Sequence, residues 1–190
     1  GSNNRVLEVS AAGNLTLNQV TVREGFCYSF LSCSGYGGNI YSDGTLTVTN
    51  STITNGTAEI GAGVFNNGTM TMTNSTVLVN NAEFYAGGIY NGYSSTLTIT
   101  NSTFTNNFAT QNAGGAIDSG GILTITDSTF SGNVSEGSAA GGINNVGTLI
   151  MTGSTIAGNT AFDYAGGINN VGTMTITNST FSGNYAGSWG

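Results

Sequence analysis

Apolar and polar residues alternate in short bursts along this chain, as in Thr173-Met174-Thr175-Ile176-Thr177, and Gly, Asn or Ser fences each burst. A period of two is the mark of a strand with one buried face, and the abundance of Thr, Ile and Val agrees with it. Helical spacing does not occur. The bursts recur: their leading apolar residues are Leu15, Leu46, Met70, Leu97, Leu123, Leu149 and Met174, at intervals of 31, 24, 27, 26, 26 and 25. The same phase collects Val9, Ile40, Val64, Ile89, Ile117, Ile143 and Ile168 upstream. Downstream it collects Val22, Ile53, Val77, Phe104, Phe130, Ile156 and Phe181.

Each unit therefore holds three short apolar segments, in the last unit "GGINN", "GTMTIT" and "STFSG". None is long enough to be stable alone, so each must pair with its counterpart in the next unit. The pattern predicts an all-β, right-handed parallel β-helix, a solenoid of seven coils of roughly 25 residues with three strands per coil. One solenoid domain would span 1–190. Its core would be columns of like residues: Met72, Ile99, Ile125, Met151 and Ile176 in one, Val77, Phe104, Phe130, Ile156 and Phe181 in another.

Asn50, Asn74, Asn101, Asp127, Gly153 and Asn178 share one place between the second and third strands. A sharp corner needs a left-handed backbone, which these types tolerate, and stacked amides can bond along the axis. The Gly pairs, such as Gly87-Gly88 and Gly166-Gly167, predict another tight corner. The Asn-x-Ser/Thr matches at Asn50, Asn74, Asn101 and Asn178 fall on the first corner and read as by-products of the repeat rather than glycan acceptors.

The interval of 31 exceeds the norm, and the surplus falls on "CYSFLSC", predicting an irregular loop at 26–36 after the first coil. It reads as a surface loop or a binding loop. Cys27 and Cys33 fit either a local disulfide, with an oxidising compartment, or free thiols; two cysteines without histidine make a poor zinc site.

Composition narrows the function. The chain has 31 Gly, no His, no Pro and two basic residues, Arg5 and Arg23, for a net charge of −7. Nucleic acid is a poor partner for such a surface, and no apolar run is long enough for membrane insertion. Arg23 sits beside Glu24 without a second carboxylate in phase. Asp118 and Asp127 fall on different segments of one coil. No catalytic, metal or cofactor site is expected.

Two outward surfaces stand out. Thr47, Thr71, Thr98, Thr124 and Thr175 head a threonine lattice on the second strand, suited either to ordering water as ice does or simply to an exposed strand. Tyr41, Phe65 and Tyr90 occupy equivalent places in three successive coils, an aromatic column for a sugar or a protein partner unless a loop covers it.

The "GGAI" at 114–117 and the "FxxN" at Phe104–Asn107, Phe130–Asn133 and Phe181–Asn184 resemble the repeats of chlamydial polymorphic outer membrane proteins. "GGINNVGTMTITNSTFSGN" is similar to β-helical repeats of very large secreted bacterial surface proteins, and the resemblance covers about residues 5–187. It implies a non-enzymatic, extracellular structural or adhesive element of a bacterial cell surface. The alternatives are a carbohydrate-binding module and an ice-binding protein. A glycan or a host or cell-surface protein is the expected lateral partner. Along the axis, "NYAGSWG" starts another coil, so another copy stacked into a fibre, or the contiguous solenoid of a larger chain, is expected.

Overall fold

The structure, a computed structural model, describes residues 4–31, 33–111, 114–137 and 139–187. The chain coils about one axis, and every strand pairs in parallel with the equivalent strand one coil away. The register follows the repeat: Met70, Leu97, Leu123, Leu149 and Met174 are successive partners, as are Met72, Ile99, Ile125, Met151 and Ile176. These side chains point inward, and those from the second to the sixth rung are fully buried. Phe104 and Phe130 stack within the core at 4.7 Å between centroids, with planes 12° apart. Parallel stacking thus turns likeness of sequence into contact of like with like.

Among the described residues, four sheets of seven strands run along the rod, one more than the three strands per coil that the sequence predicts. The first three follow the predicted segments, for instance Ile168–Asn170, Thr173–Thr177 and Thr180–Ser182 in the seventh rung. The fourth contains Phe26–Cys27, Thr57–Ile60, Asn81–Tyr85, Phe108–Ala109, Val134–Ser135, Thr160–Ala161 and Tyr185–Ala186. Most of these strands have two residues, too few to show a period. Their inward column is small: Cys27, Ala58, Ala82, Ala109, Ser135, Ala161 and Ala186.

Two further details differ from expectation. Leu7, rather than Val9, pairs with Ile40, and Val9 pairs with Ser42. The turn after Val9 is two residues longer than its counterpart after Ser42, since five steps separate Val9 from Asn14 and three separate Ser42 from Thr45. The surplus at 26–36 is also partly regular. Phe26–Cys27 belongs to the fourth sheet, Ser29–Leu31 forms a 3₁₀ turn, and Tyr36 bridges to Ile60.

The two ends differ. Asn4 and Phe26 exchange both backbone hydrogen bonds, at 2.8 and 3.2 Å, in an antiparallel bridge across the outer edge of the fourth sheet. In the first rung Leu17 and Val22 are 9% and 5% exposed, whereas Met174 and Phe181 in the seventh are 39% and 45% exposed.

Candidate functional site

Asn50, Asn74, Asn101, Asp127 and Asn178 all have φ near 49°, and Gly153 takes 62° at the same place. Their short polar side chains make the left-handed corner tolerable. Outside it, Asn101 Nδ2 donates to Asn74 Oδ1 at 2.8 Å, Asn74 to Asn50 at 3.3 Å, and Asn50 to Asn18 at 3.2 Å. These residues are exposed. The next residue turns inward: the backbone N–H of Ser51, Ser75, Ser102 and Ser128 each donates to the serine Oγ one rung on, at 3.1 Å. The hydroxyls of Ser51, Ser75, Ser102 and Ser128 also donate to the carbonyl two residues back, at 2.7–2.8 Å. In "NST", then, Asn turns the chain, Ser ties rung to rung, and Thr faces solvent.

Gly87-Gly88 and Gly166-Gly167 act through space rather than through φ. Ala86, just before Gly87, supplies the left-handed turn at φ 53°, while a Cβ on Gly87 would meet the Phe108 carbonyl oxygen at 2.4 Å.

A second amide ladder, buried and one corner further on, escaped the sequence reading. Asn80, Asn107, Asn133 and Asn159 are fully buried. Each side-chain amide donates to the next Oδ1 at 2.9, 3.0, 2.9 and 2.9 Å, ending at Asn184. Each Oδ1 from Asn107 onward also accepts the preceding rung's backbone N–H. Asn107, Asn133 and Asn184 are the Asn of "FxxN", and Asn80 and Asn159 follow Val77 and Ile156 at the same offset; that fixed offset from the third strand's inward residue was the signal for it.

The aromatic column stands in one register, Tyr41–Phe65–Tyr90. Phe65 stacks with Tyr41 at 5.3 Å and with Tyr90 at 4.9 Å, the planes 5° and 16° apart. Tyr36 also stacks on Phe65 at 4.8 Å, the Arg5 guanidinium lies 4.8 Å from the Tyr41 centroid, and Tyr85 meets Tyr90 edge-on. The ring faces are turned along the axis and used on one another. What remains outward is edges, a poor platform for a sugar ring, which stacks on a free face. Burial, with the hydrogen bond to Asp43 next in weight, pushes the Tyr41 phenol up to about 12, and burial together with nearby Asp118 does the same for Tyr90.

Asp118 continues that column beyond Tyr90, followed by Asn144 and Asn169. It is 5% exposed, and burial raises its pKa to about 6, partly countered by Asn144 Nδ2, which donates to it at 3.2 Å. Elsewhere, Glu59 accepts from the backbone N–H of Ser29 at 2.9 Å and so holds the 3₁₀ turn. Cys27 and Cys33 form a disulfide. Arg5 gathers that loop, donating from Nη2 to Ser34 Oγ at 2.8 Å and to the Tyr36 carbonyl at 2.9 Å.

On the second sheet Thr47, Thr71, Thr98, Thr124 and Thr175 all face outward in one column, with Ile150 taking the place in the sixth rung. A shallow depression lies on the outer face of the fourth sheet, lined by Val134, Glu136, Thr160, Phe162, Tyr185 and Gly187 among others. There Phe162 and Tyr185 are 60% and 62% exposed.

A family model described as a right handed beta helix region matches residues 2–185. None of the curated proteins and none of the solved structures matches the chain.

Proposed function

Because the chain belongs to the right-handed β-helix region family, we propose that it is a non-enzymatic, extracellular structural element, an adhesive rod segment of a bacterial cell surface. The observation that carries this reading is the axial bonding of its polar side chains. Serine and asparagine ladders continue the backbone ladders through successive rungs, from Ser51 to Ser179 and from Asn80 to Asn184. Side chains committed in this way stiffen a rod and leave chemistry little to use.

Another copy and a contiguous solenoid would meet the ladders differently. From Ser51 onward the ladder places hold Ser and, from Asn80 onward, Asn, but the first rung carries Val20 and Gly25 there. A copy stacked head to tail would offer Ser179 and Asn184 no side-chain acceptor. A contiguous repeat coil would satisfy both. Immunogold labelling of intact producing cells tests the surface role: label on the outside is expected, and label seen only after permeabilisation would overturn it.

A second reading, carbohydrate binding, is favoured by the depression on the fourth sheet, where Phe162 and Tyr185 expose ring area beside the Glu136 carboxylate. The joint substitution of Phe162→Ala and Tyr185→Ala should abolish retention on a glycan array. Retention by that variant would remove this reading.

A further inference from the structure

We propose that the outward face of the second sheet binds ice. The seven strands, Asn14–Asn18, Thr45–Thr49, Thr69–Thr73, Thr96–Thr100, Ile122–Thr126, Thr148–Thr152 and Thr173–Thr177, present 21 outward positions in three columns. Threonine fills 17 of them, and the others are Asn14, Asn18, Ile122 and Ile150. No position on this face carries a charge, in a chain of net charge −7.

Threonine suits any exposed strand, but the first and fourth sheets do not use it in this way. The first sheet's outward column is Glu8, Tyr41, Phe65, Tyr90, Asp118, Asn144 and Asn169. The fourth sheet's is Phe26, Thr57, Asn81, Phe108, Val134, Thr160 and Tyr185. Threonine concentrates on the second sheet and continues round the corner onto the third, where Thr21, Thr52, Thr76, Thr103, Thr129, Thr155 and Thr180 form an unbroken column.

The lattice has the dimensions of a pleated sheet, about 4.8 Å between rungs and about 6.7 Å between alternate residues. Those repeats lie close to oxygen–oxygen repeats on faces of hexagonal ice. Each threonine offers a methyl and a hydroxyl on a side chain stiff at χ1, so the face orders its first water layer at little entropic cost to itself. Beneath it the inward residues from Leu46 to Met151 are fully buried, which keeps the face from deforming.

Charge and area both select the occupant. A face without ions is matched by a neutral lattice and offers nothing to a charged partner. Its extent, roughly 500 Å², also falls short of the ~800 Å² per partner of a stable protein interface.

The test is thermal hysteresis and ice recrystallisation inhibition by the purified chain, beside Thr71→Lys, Thr98→Lys and, on the fourth sheet, Asn81→Lys. Asn81 is exposed, and each variant's fold is checked by circular dichroism. The expected result is faceted crystals and a freezing gap for the unaltered chain and for N81K, and loss of both for T71K and T98K. No activity from the unaltered chain at millimolar concentration overturns the proposal. So does activity undiminished in both central lysine variants, or a dimer in solution that those variants dissociate, which would make the face a contact between copies.

Discussion

Asn39 and Asn80 lie 41 residues apart and at different places in the repeat, yet Asn39 Nδ2 donates to Asn80 Oδ1 at 3.2 Å. Asn80 is the first true member of the buried amide ladder. In the two earlier rungs its place is taken by Gly25 and Gly56, whose N–H groups still need acceptors. Asn80 supplies one to Gly56 at 2.9 Å, and Asn39 reaches in from the neighbouring corner to supply the other to Gly25 at 2.8 Å. Gly56 must stay glycine, because a Cβ there would meet the Ala62 carbonyl oxygen at 2.2 Å and Asn39 Nδ2 at 2.6 Å.

Asn39→Ala should therefore cost about 2–4 kcal/mol, the penalty of leaving the buried Gly25 N–H and Thr54 carbonyl without this partner. Urea unfolding measures the loss. Faster exchange at the Gly25 amide, with Asn133 and Asn159 unchanged, would locate it in the early rungs. A variant as stable as the parent would show that Asn39 merely occupies the slot.

The ladder's interior should cost more than its end. Asn133 Nδ2 donates to the Phe104 carbonyl and to Asn159, and its Oδ1 accepts both the N–H and the side-chain amide of Asn107. Asn133→Ala removes four bonds at a fully buried site and should destabilise by roughly 3–5 kcal/mol. Asn184→Ala, in the half-open seventh rung, should cost clearly less. Equal losses in urea melts would contradict the graded picture.

The core columns were legible in the sequence because strict alternation at a fixed interval admits one stacking. Leu123 and Ile125 fall on Leu97 and Ile99, as their phase requires. The fourth sheet was not legible, since a strand such as Val134–Ser135 is too short to carry a period. Nor could composition separate two asparagines with different tasks. In "TNNF", Asn106 is exposed at φ 53° and turns the corner, while its neighbour Asn107 is fully buried in the ladder. The aromatic column had the right register, but text alone does not say which way rings turn, and here they face one another.

Asp118 makes stability depend on pH with an inverted sign for a carboxylate. Burial raises its folded pKa to about 6, above the ordinary 3.8. Its favourable contribution is complete below about pH 4, fades between about 4 and 6, and is gone above, a span worth on the order of 3 kcal/mol. The next two rungs already hold Asn144 and Asn169 in its register. Asp118→Asn should thus stabilise the chain at pH 8 and flatten this part of the stability–pH curve. A variant no more stable than the parent at pH 8 would refute the burial penalty.

The Cys27–Cys33 disulfide closes a loop of sequence separation 6, and Arg5 binds that loop to the chain's first strand. Arg5 Nη2 reaches both sulfurs at 3.5 and 3.4 Å as well as Ser34 and Tyr36, Nε reaches the Gly37 carbonyl at 3.3 Å, and Nη1 pairs with Glu8 at 2.6 Å. Loop entropy makes the bond worth about 2 kcal/mol. A solenoid passes such a loss on only to neighbouring coils, because each rung touches the next and no others. Reduction should therefore raise hydrogen exchange in peptides covering residues 21–42 while leaving 143–170 protected, and Arg5→Ala in the oxidised chain should reproduce the same local pattern. Loss of protection spread evenly over all seven rungs would mean that the rod unfolds as one unit, and that the hub at Arg5 governs more than its own end.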